Sequence, residues 1–274
     1  MNTKIRLLAA ALALGAAAPA AAQPNPSKLS ITRLDCGHAT IKDFNSFFSD
    51  AFDYASGPRE VVDSCYLVRH MNHYLLWDSG FPAALKGRKA DMGALVGTID
   101  KTVVEQLAQL GLKPSDVTIV GISHMHGDHT GQAAEFPQAK LLIGRDDFEG
   151  TKGAKDPFGP WRAQGAKVQT MHGGDVDVFG DGSVIALNLP GHTPDHMALL
   201  VKLASGNVLL TGDLYHSLEA REKKGIPPFN TSRADTLASI DRFERIAAKL
   251  NAKVIIQHEA ADVAKLPPFP KAAE

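Results

Sequence analysis

Ser123-His124-Met125-His126-Gly127-Asp128-His129-Thr130-Gly131 places three imidazoles and one carboxylate within six residues, directly behind the apolar run Val117-Thr118-Ile119-Val120-Gly121-Ile122. The run reads as a buried strand. In extended backbone His124 and His126 point to the same side. Gly127 then lets the chain turn, so that Asp128 and His129 face back toward the same volume. Imidazoles and a carboxylate converging at a strand end are suited to gripping metal ions.

The same arrangement recurs further along the chain. Val184 to Leu189 reads as a strand ending in Pro190-Gly191-His192-Thr193-Pro194-Asp195-His196. Asn207 to Leu210 ends in Thr211-Gly212-Asp213, and Val254-Ile255-Ile256 ends in Gln257-His258-Glu259. Strand tips gathered on one sheet edge would unite residues far apart in sequence, and strands position ligands better than free loops do. The candidate donors are His124, His126, Asp128, His129, His192, Asp213 and His258. Seven is too many for one tetrahedral zinc and suits two ions with a bridging carboxylate. Two divalent ions are therefore expected, zinc first, although mixed imidazole and carboxylate donors also take iron, manganese or cobalt. Two such ions about 3.5–4 Å apart share a water, lower its pKa toward neutrality and polarise a carbonyl or phosphoryl oxygen. Asp195 and His196 read as supporting groups, and Asp78 either steadies a ligating histidine or merely turns the chain. His38, His70, His73 and His172 show no partner pattern.

The remaining sequence frames this site. Lys4 and Arg6, an apolar run from Ile5 to Ala18 and the small residues Ala20-Ala21-Ala22 form the pattern of a secretory signal, with cleavage expected near Ala22. That run is short for a membrane span. Export to the periplasm or medium is expected, and residues 23–274 have the length of one metallo-hydrolase domain. Removing residues 1–22 takes away two cations and no acid, so the charge becomes 27 minus 30, or −3. No basic stripe points to nucleic acid. Cys36 and Cys65 could join in an exported protein, but they read here as separate buried thiols. Phe44, Phe47 and Phe48 share a helical face, which suits a greasy lid beside the site, a packing helix or a homodimer contact. Val61–Val68 and Tyr74–Trp77 read as a strand pair, Thr98–Leu110 as a helix capped by Asp100, and Leu141–Ile143 as a short strand. Residues 144–175 read as irregular surface, and Ser232 caps a helix running to about Leu250. No nucleophile elbow, phosphate loop or dinucleotide fingerprint is present.

With His124-Met125-His126-Gly127-Asp128-His129, Gly191-His192, Gly212-Asp213 and His258 in order, the chain resembles the metallo-β-lactamase superfamily from about residue 29 to residue 260. The resemblance implies an α+β fold, a four-layer αβ/βα sandwich with metals at one edge of two facing sheets. It assigns His124, His126 and His192 to a first metal, Asp128, His129 and His258 to a second, and Asp213 to a bridge between them. The stretch Leu209 to Tyr215 and the closing Gln257-His258-Glu259 are most similar to the N-acyl-homoserine lactonase group. That group implies ring opening of a small-molecule lactone by a metal-bridging hydroxide, with Asp128 passing a proton to the leaving alkoxide. Its members usually carry a tyrosine three residues after the bridging aspartate to hold the substrate carbonyl. Here His216 occupies that place and Tyr215 precedes it, so either is a candidate donor. Residues 215–231, with Phe229, and the aromatic segment 44–54 would shape an acyl-chain pocket. A phosphotriesterase, an esterase or a β-lactamase on the same metals is the alternative.

Overall fold

The computed structural model describes residues 29–274; the expected leader, Met1 to Ala22, lies outside the described residues. Among the described residues thirteen strands form two sheets. The first contains β1 (Ser30–Ile41), β2 (Arg59–His70), β3 (His73–Trp77), β4 (Ala90–Asp91), β5 (Leu95–Thr98), β6 (Val117–Gly121), β7 (Lys140–Gly144) and β8 (Val168–Met171), in the order β4-β5-β1-β2-β3-β6-β7-β8. The second contains β9 (Val176–Asp177), β10 (Val184–Asn188), β11 (Met197–Leu203), β12 (Gly206–Leu210) and β13 (Lys253–Ile255), in the order β13-β12-β11-β10-β9. Seven α-helices accompany them among these residues: α1 (Phe44–Phe48), α2 (Val103–Gln109), α3 (Gly127–Thr130), α4 (Arg145–Gly150), α5 (Leu218–Lys223), α6 (Arg233–Lys249) and α7 (Ala260–Val263). None of the described helices is long and apolar enough to cross a membrane.

Strand alternation makes the layers. Along β11, Met197, Leu199 and Val201 enter the central core, where Tyr66, Val68, Leu75 and Trp77 of the first sheet meet Val208, Leu210 and Ile255 of the second. The intervening Ala198 and Leu200 face outward and pack with Ile240, Phe243 and Ala247 of α6. On the opposite side Cys65, Leu67 and Leu76 pack with Val103 and Leu107 of α2. A side-chain period of two thus gives each sheet one face for its partner sheet and one for helices. The result is the expected αβ/βα sandwich.

Several local expectations need correction. The helix expected from Thr98 begins at Val103, because Thr98 ends β5 and a reciprocal capping box of Thr102 and Glu105 starts the helix. Residues 144–175 are not mere surface: they contain α4 and β8, and Phe158 and Trp161 are buried in the core beneath α2. Trp161 donates its indole N–H to the Ala139 carbonyl at 2.8 Å. Strand β11, buried on both faces, escaped the sequence reading. Cys36 and Cys65 are joined by a disulfide. β1 and β2 run antiparallel with Leu34 opposite Cys65, and a bulge between Asp35 and Gly37 brings Cys36 to a Cα–Cα separation of 5.7 Å, within bridging range.

Candidate metal centre

All the strand ends named above open onto the same edge of the sandwich. β6 ends at Gly121, and the extended segment through His126 passes into the single turn of α3, which presents Asp128 and His129. His192 follows β10, Asp213 follows β12 and His258 follows β13. Their donor atoms fall into two groups that could hold a metal ion, each with all its atoms within 4.8 Å of one another: His124, His126, His192 and Asp213, and Asp128, His129 and His258. Asp213 divides its carboxylate between them. Its Oδ2 lies 3.6 Å from His124 Nε2 and 3.4 Å from His192 Nε2, while Oδ1 lies 3.1 Å from His129 Nε2 and 2.9 Å from His258 Nε2. One carboxylate serving both groups is the arrangement a bridging ligand requires.

The outer nitrogens explain why the inner ones converge. Leu189 and Val62 offer backbone carbonyls to the Nδ1 atoms of His196 and His258 at 3.0 and 2.9 Å. Asp78 takes the Nδ1–H of His129 at 3.0 Å, and the Asn230 side-chain oxygen faces His192 Nδ1 at 2.9 Å. A neutral ring with a proton on Nδ1 leaves a lone pair on Nε2. The Nε2 lone pairs of His129 and His258 therefore face one another at 3.2 Å, that of His192 faces His126 Nδ1 at 3.0 Å, and all three face Asp213, a cluster rich in acceptors and poor in donors. Divalent cations supply what such a cluster lacks, so the donor set fits them. His196 is no ligand: its Nε2 accepts the backbone N–H of Asp213 at 2.9 Å and fixes the bridge.

Charge in the metal-free cluster settles unevenly. Burial, reinforced by neighbouring His129, pushes His124 well below the ordinary imidazole range, and burial does the same to His192 against the pull of Asp213. Burial would also lower His129 and His258, but it is outweighed at His129 by Asp213, Asp78 and Asp128 together and at His258 chiefly by Asp213. His129 is raised well above its ordinary value and His258 is raised to about 9. Burial alone would raise Asp213, but His129, His258, His216 and His124 hold it well below the carboxylate range. Without cations, the neighbouring carboxylates thus favour a proton on His129 and on His258.

Asp78 is the knot behind this edge. Its Oδ1 accepts the Ser123 backbone N–H at 2.7 Å, and its Oδ2 accepts from Gln257 Nε2 at 2.8 Å as well as from His129. It therefore ties the ends of β3, β6 and β13 together. The sequence motifs include Ser123 and Gln257 without giving them a role, and Asn230 lies outside them. They lie beside donors in sequence or on a loop, and no residue pattern marks which way they face.

Tyr215 is the other correction. Its ring is fully buried among Phe243 and the packing beneath α6, and its hydroxyl donates to Glu244 at 2.8 Å, away from the donors. His216, one residue on, turns the opposite way. Its Nε2 lies 3.1 Å from Asp213 Oδ2, and its ring stacks on Phe48 with centroids 4.2 Å apart. Beside the donors opens a cavity of about 490 Å³. His126, Asp128, Asp213, His216 and His258 form its polar end, and Phe47, Phe48, Phe81, Met92, Leu95 and Phe229 form its apolar walls. The aromatic segment thus does wall the site: Phe47 and Phe229 pack against each other with centroids 5.0 Å apart.

A family profile described as the metallo-beta-lactamase superfamily matches residues 59–258, most of the chain. The chain belongs to that superfamily. Among curated superfamily relatives, N-acyl homoserine lactonase AttM of Rhizobium radiobacter is 35% identical over 234 residues, covering 77% of this chain and 88% of its own. N-acyl homoserine lactonase AiiA of Bacillus thuringiensis subsp. kurstaki is 25% identical over 216 residues, covering 76% and 85%. Among solved structures, an N-acyl homoserine lactone hydrolase with N-hexanoyl-L-homoserine bound at its catalytic metal centre aligns at a TM-score of 0.76 and 21% identity, over 90% of this chain and all of the other. AidC, a dizinc quorum-quenching lactonase, aligns at a TM-score of 0.61 and 17% identity, over 90% of each chain. These likenesses establish the metallo-beta-lactamase fold of this chain.

Proposed function

We propose that this metal-dependent hydrolase opens N-acyl-homoserine lactones, and that it does so with two divalent ions, zinc first, outside the cytoplasm. The observation that carries the reading is the carboxylate of Asp213, shared between two donor groups at the polar end of an apolar cavity. The lactonase relatives support the substrate class. The charged, apolar and small-residue pattern of Met1 to Ala22 supports export, as does the Cys36–Cys65 disulfide, since such bonds persist in oxidising compartments.

When bound, the ions would supply a water acidified toward neutrality and a Lewis-acid contact for a carbonyl oxygen. His124, His126 and His192 would hold one of them, Asp128, His129 and His258 the other, and Asp213 both. The protein does the rest. His216, stacked on Phe48 and held against Asp213, walls the reaction face. Asp128 lines the cavity and is partly exposed; as a carboxylate it would take the proton of the attacking water and return it to the alkoxide released as the ring opens. Phe47, Phe48 and Phe229 receive the acyl chain and exclude water from it.

Metal-replete protein should consume base in a pH-stat when given acyl-homoserine lactones of several chain lengths, with metal analysis in parallel. No turnover at any length would sink the lactonase reading. Turnover of a phosphotriester, simple ester or β-lactam in its place would move the chain to another branch of hydrolases on the same site.

A further inference from the structure

Helix α4 carries two adjacent acids of opposite character, Asp146 and Asp147. Asp146 is exposed, whereas Asp147 is fully buried and its Oδ1 has no hydrogen-bond partner. An acid held this way is costly, because buried polar groups are ordinarily met. Burial pushes Asp147 up to about 7, against the pull of its bond from Thr193 and with the help of the Asp195 carboxylate. That bond is short: the Thr193 hydroxyl donates to Asp147 Oδ2 at 2.7 Å. Thr193 directly follows His192.

Residues 190–196 bear two groups of the donor edge. His192 belongs to the first donor group, and His196 accepts the backbone N–H of Asp213. Thr193 ties the segment together, since its carbonyl accepts the N–H of Gly191 at 2.9 Å and that of His196 at 3.4 Å. Helix α4 and this segment grip each other twice. Asp195 Oδ2 accepts the Asp146 backbone N–H at 2.7 Å, meeting one of the free N–H groups of the first turn of α4, and Asp147 holds Thr193 in return. Gly144, where α4 begins, lies so close that a Cβ on it would stand 2.4 Å from the Cβ of Asp195. From outside, His172 Nδ1 lies 3.1 Å from Asp195 Oδ1. Of these contacts, the one made by Asp147 reaches the residue adjoining a donor.

We infer that Asp147 is a positioning residue for the metal centre, acting through the Thr193 hydroxyl to hold the backbone from which His192 reaches the first donor group. The inference rests on reading that group as a metal site, and not on which ester or lactone is cleaved. Asn230, 2.9 Å from His192 Nδ1, orients the ring. The bond between Thr193 and Asp147 fixes where the ring starts. A donor held at both ends keeps its Nε2 in place without help from an ion. Partners behind metal donors are commonly worth about 10- to 100-fold in affinity.

The test measures zinc affinity by chelator competition for wild type, Asp147→Ala, Thr193→Val, Thr193→Ser and the double variant Asp147→Ala/Thr193→Val, each shown by circular dichroism to be folded at the working temperature. Asp147→Ala and Thr193→Val should each weaken one of the two bound ions by about 10- to 100-fold, with the other ion much less affected. Thr193→Ser keeps the hydroxyl and should stay near wild type. Because the two residues act as a unit, the double variant should be no weaker than the weaker single variant. In turnover the loss should fall on kcat rather than KM, since neither residue is among those lining the cavity. Unchanged affinity in both single variants, equal weakening of both ions, or losses that multiply in the double variant would overturn the assignment. Should Asp147→Ala fail to fold, Thr193→Val decides against Thr193→Ser, and equal affinities overturn it. A wild type that binds no zinc removes the metal reading and the role of Asp147 together, whereas zinc binding without lactone turnover removes only the lactonase reading.

Discussion

The donor edge and the cavity wall beside it are built in opposite ways. At the edge the rings are fixed from behind: His129 by Asp78, His192 by Asn230, His258 by the Val62 carbonyl, and Asp213 by His196. In the wall the aromatic and aliphatic side chains come from separate loops, strands and short helices, and Phe229 is 40% exposed. The edge is preorganised before any ligand arrives, and the wall is completed by what enters it. Chemistry of the reaction should therefore be sensitive to groups behind the donors, and substrate choice to groups in the wall.

The largest expected effect comes from the shared carboxylate. Asp213→Ala should abolish turnover and cost the protein at least one of its bound ions, read by metal analysis after gel filtration. Retention of both ions with activity would break the claim that Asp213 joins the two donor groups. One shell out, Asp78→Asn should weaken metal affinity about 10- to 100-fold, measured by chelator competition. Asp78 touches no proposed ion, so an unchanged affinity would show that the bonds behind the rings are decoration and that the donors need no outside fixing.

The disulfide sharpens the same comparison from the side of stability. It closes a loop between residues 29 apart and pins β1 to β2 below the cavity. Replacing both cysteines with alanine should cost about 3–4 kcal/mol, lowering Tm by roughly 10 °C while leaving metal content unchanged at room temperature. Loss of metal at a temperature where the fold persists would mean that the bridge also positions the donors.

The donor edge was legible in the sequence because its information is local. His124-Met125-His126-Gly127-Asp128-His129 carries its own strand, turn and donors, and the later donors each follow an apolar run. The wall was legible only in part. Phe47, Phe48 and Phe229 could be suspected from their chemistry, but Phe81, Met92 and Leu95 meet them through strand order alone. The cysteine pair required the register of β1 on β2 and its bulge, which no spacing reveals. Strand β11 hid because both its faces are buried and it lacks alternation.

The dependence of stability on pH separates the edge with its ions from the edge without them. In metal-free protein His258, which burial would lower but Asp213 raises to about 9, and His129, raised likewise, contribute stability that is complete below the ordinary imidazole value near 6.5. That contribution drains away as pH rises through about 9. His124 and His192, kept neutral chiefly by burial, act with the opposite sign, and stability falls as pH drops below 6.5. Metal-free protein should thus show a Tm maximum near the ordinary histidine range with losses on both sides. Loaded protein should lose the alkaline limb, because cations replace the protons that titrate there. Superimposable Tm profiles with and without chelator would contradict this exchange of proton for metal.

The smallest expected effect isolates the wall from the packing behind it. Tyr215 and His216 are neighbours in sequence, and either could be a substrate donor on spacing alone. The short turn Gly212–Leu214 sends them apart, Tyr215 to Glu244 on α6 and His216 to the cavity. Glu244 also receives two bonds from Arg221 at 2.8 Å each, so losing the tyrosine bond leaves it paired. Tyr215→Phe removes only that hydroxyl and should cost about 1 kcal/mol, a fall in Tm of roughly 2–4 °C, with kcat and KM unchanged. A large drop in kcat from this change would mean that Tyr215 leaves its buried site during turnover, and the division between packing and wall would have to be redrawn at that residue.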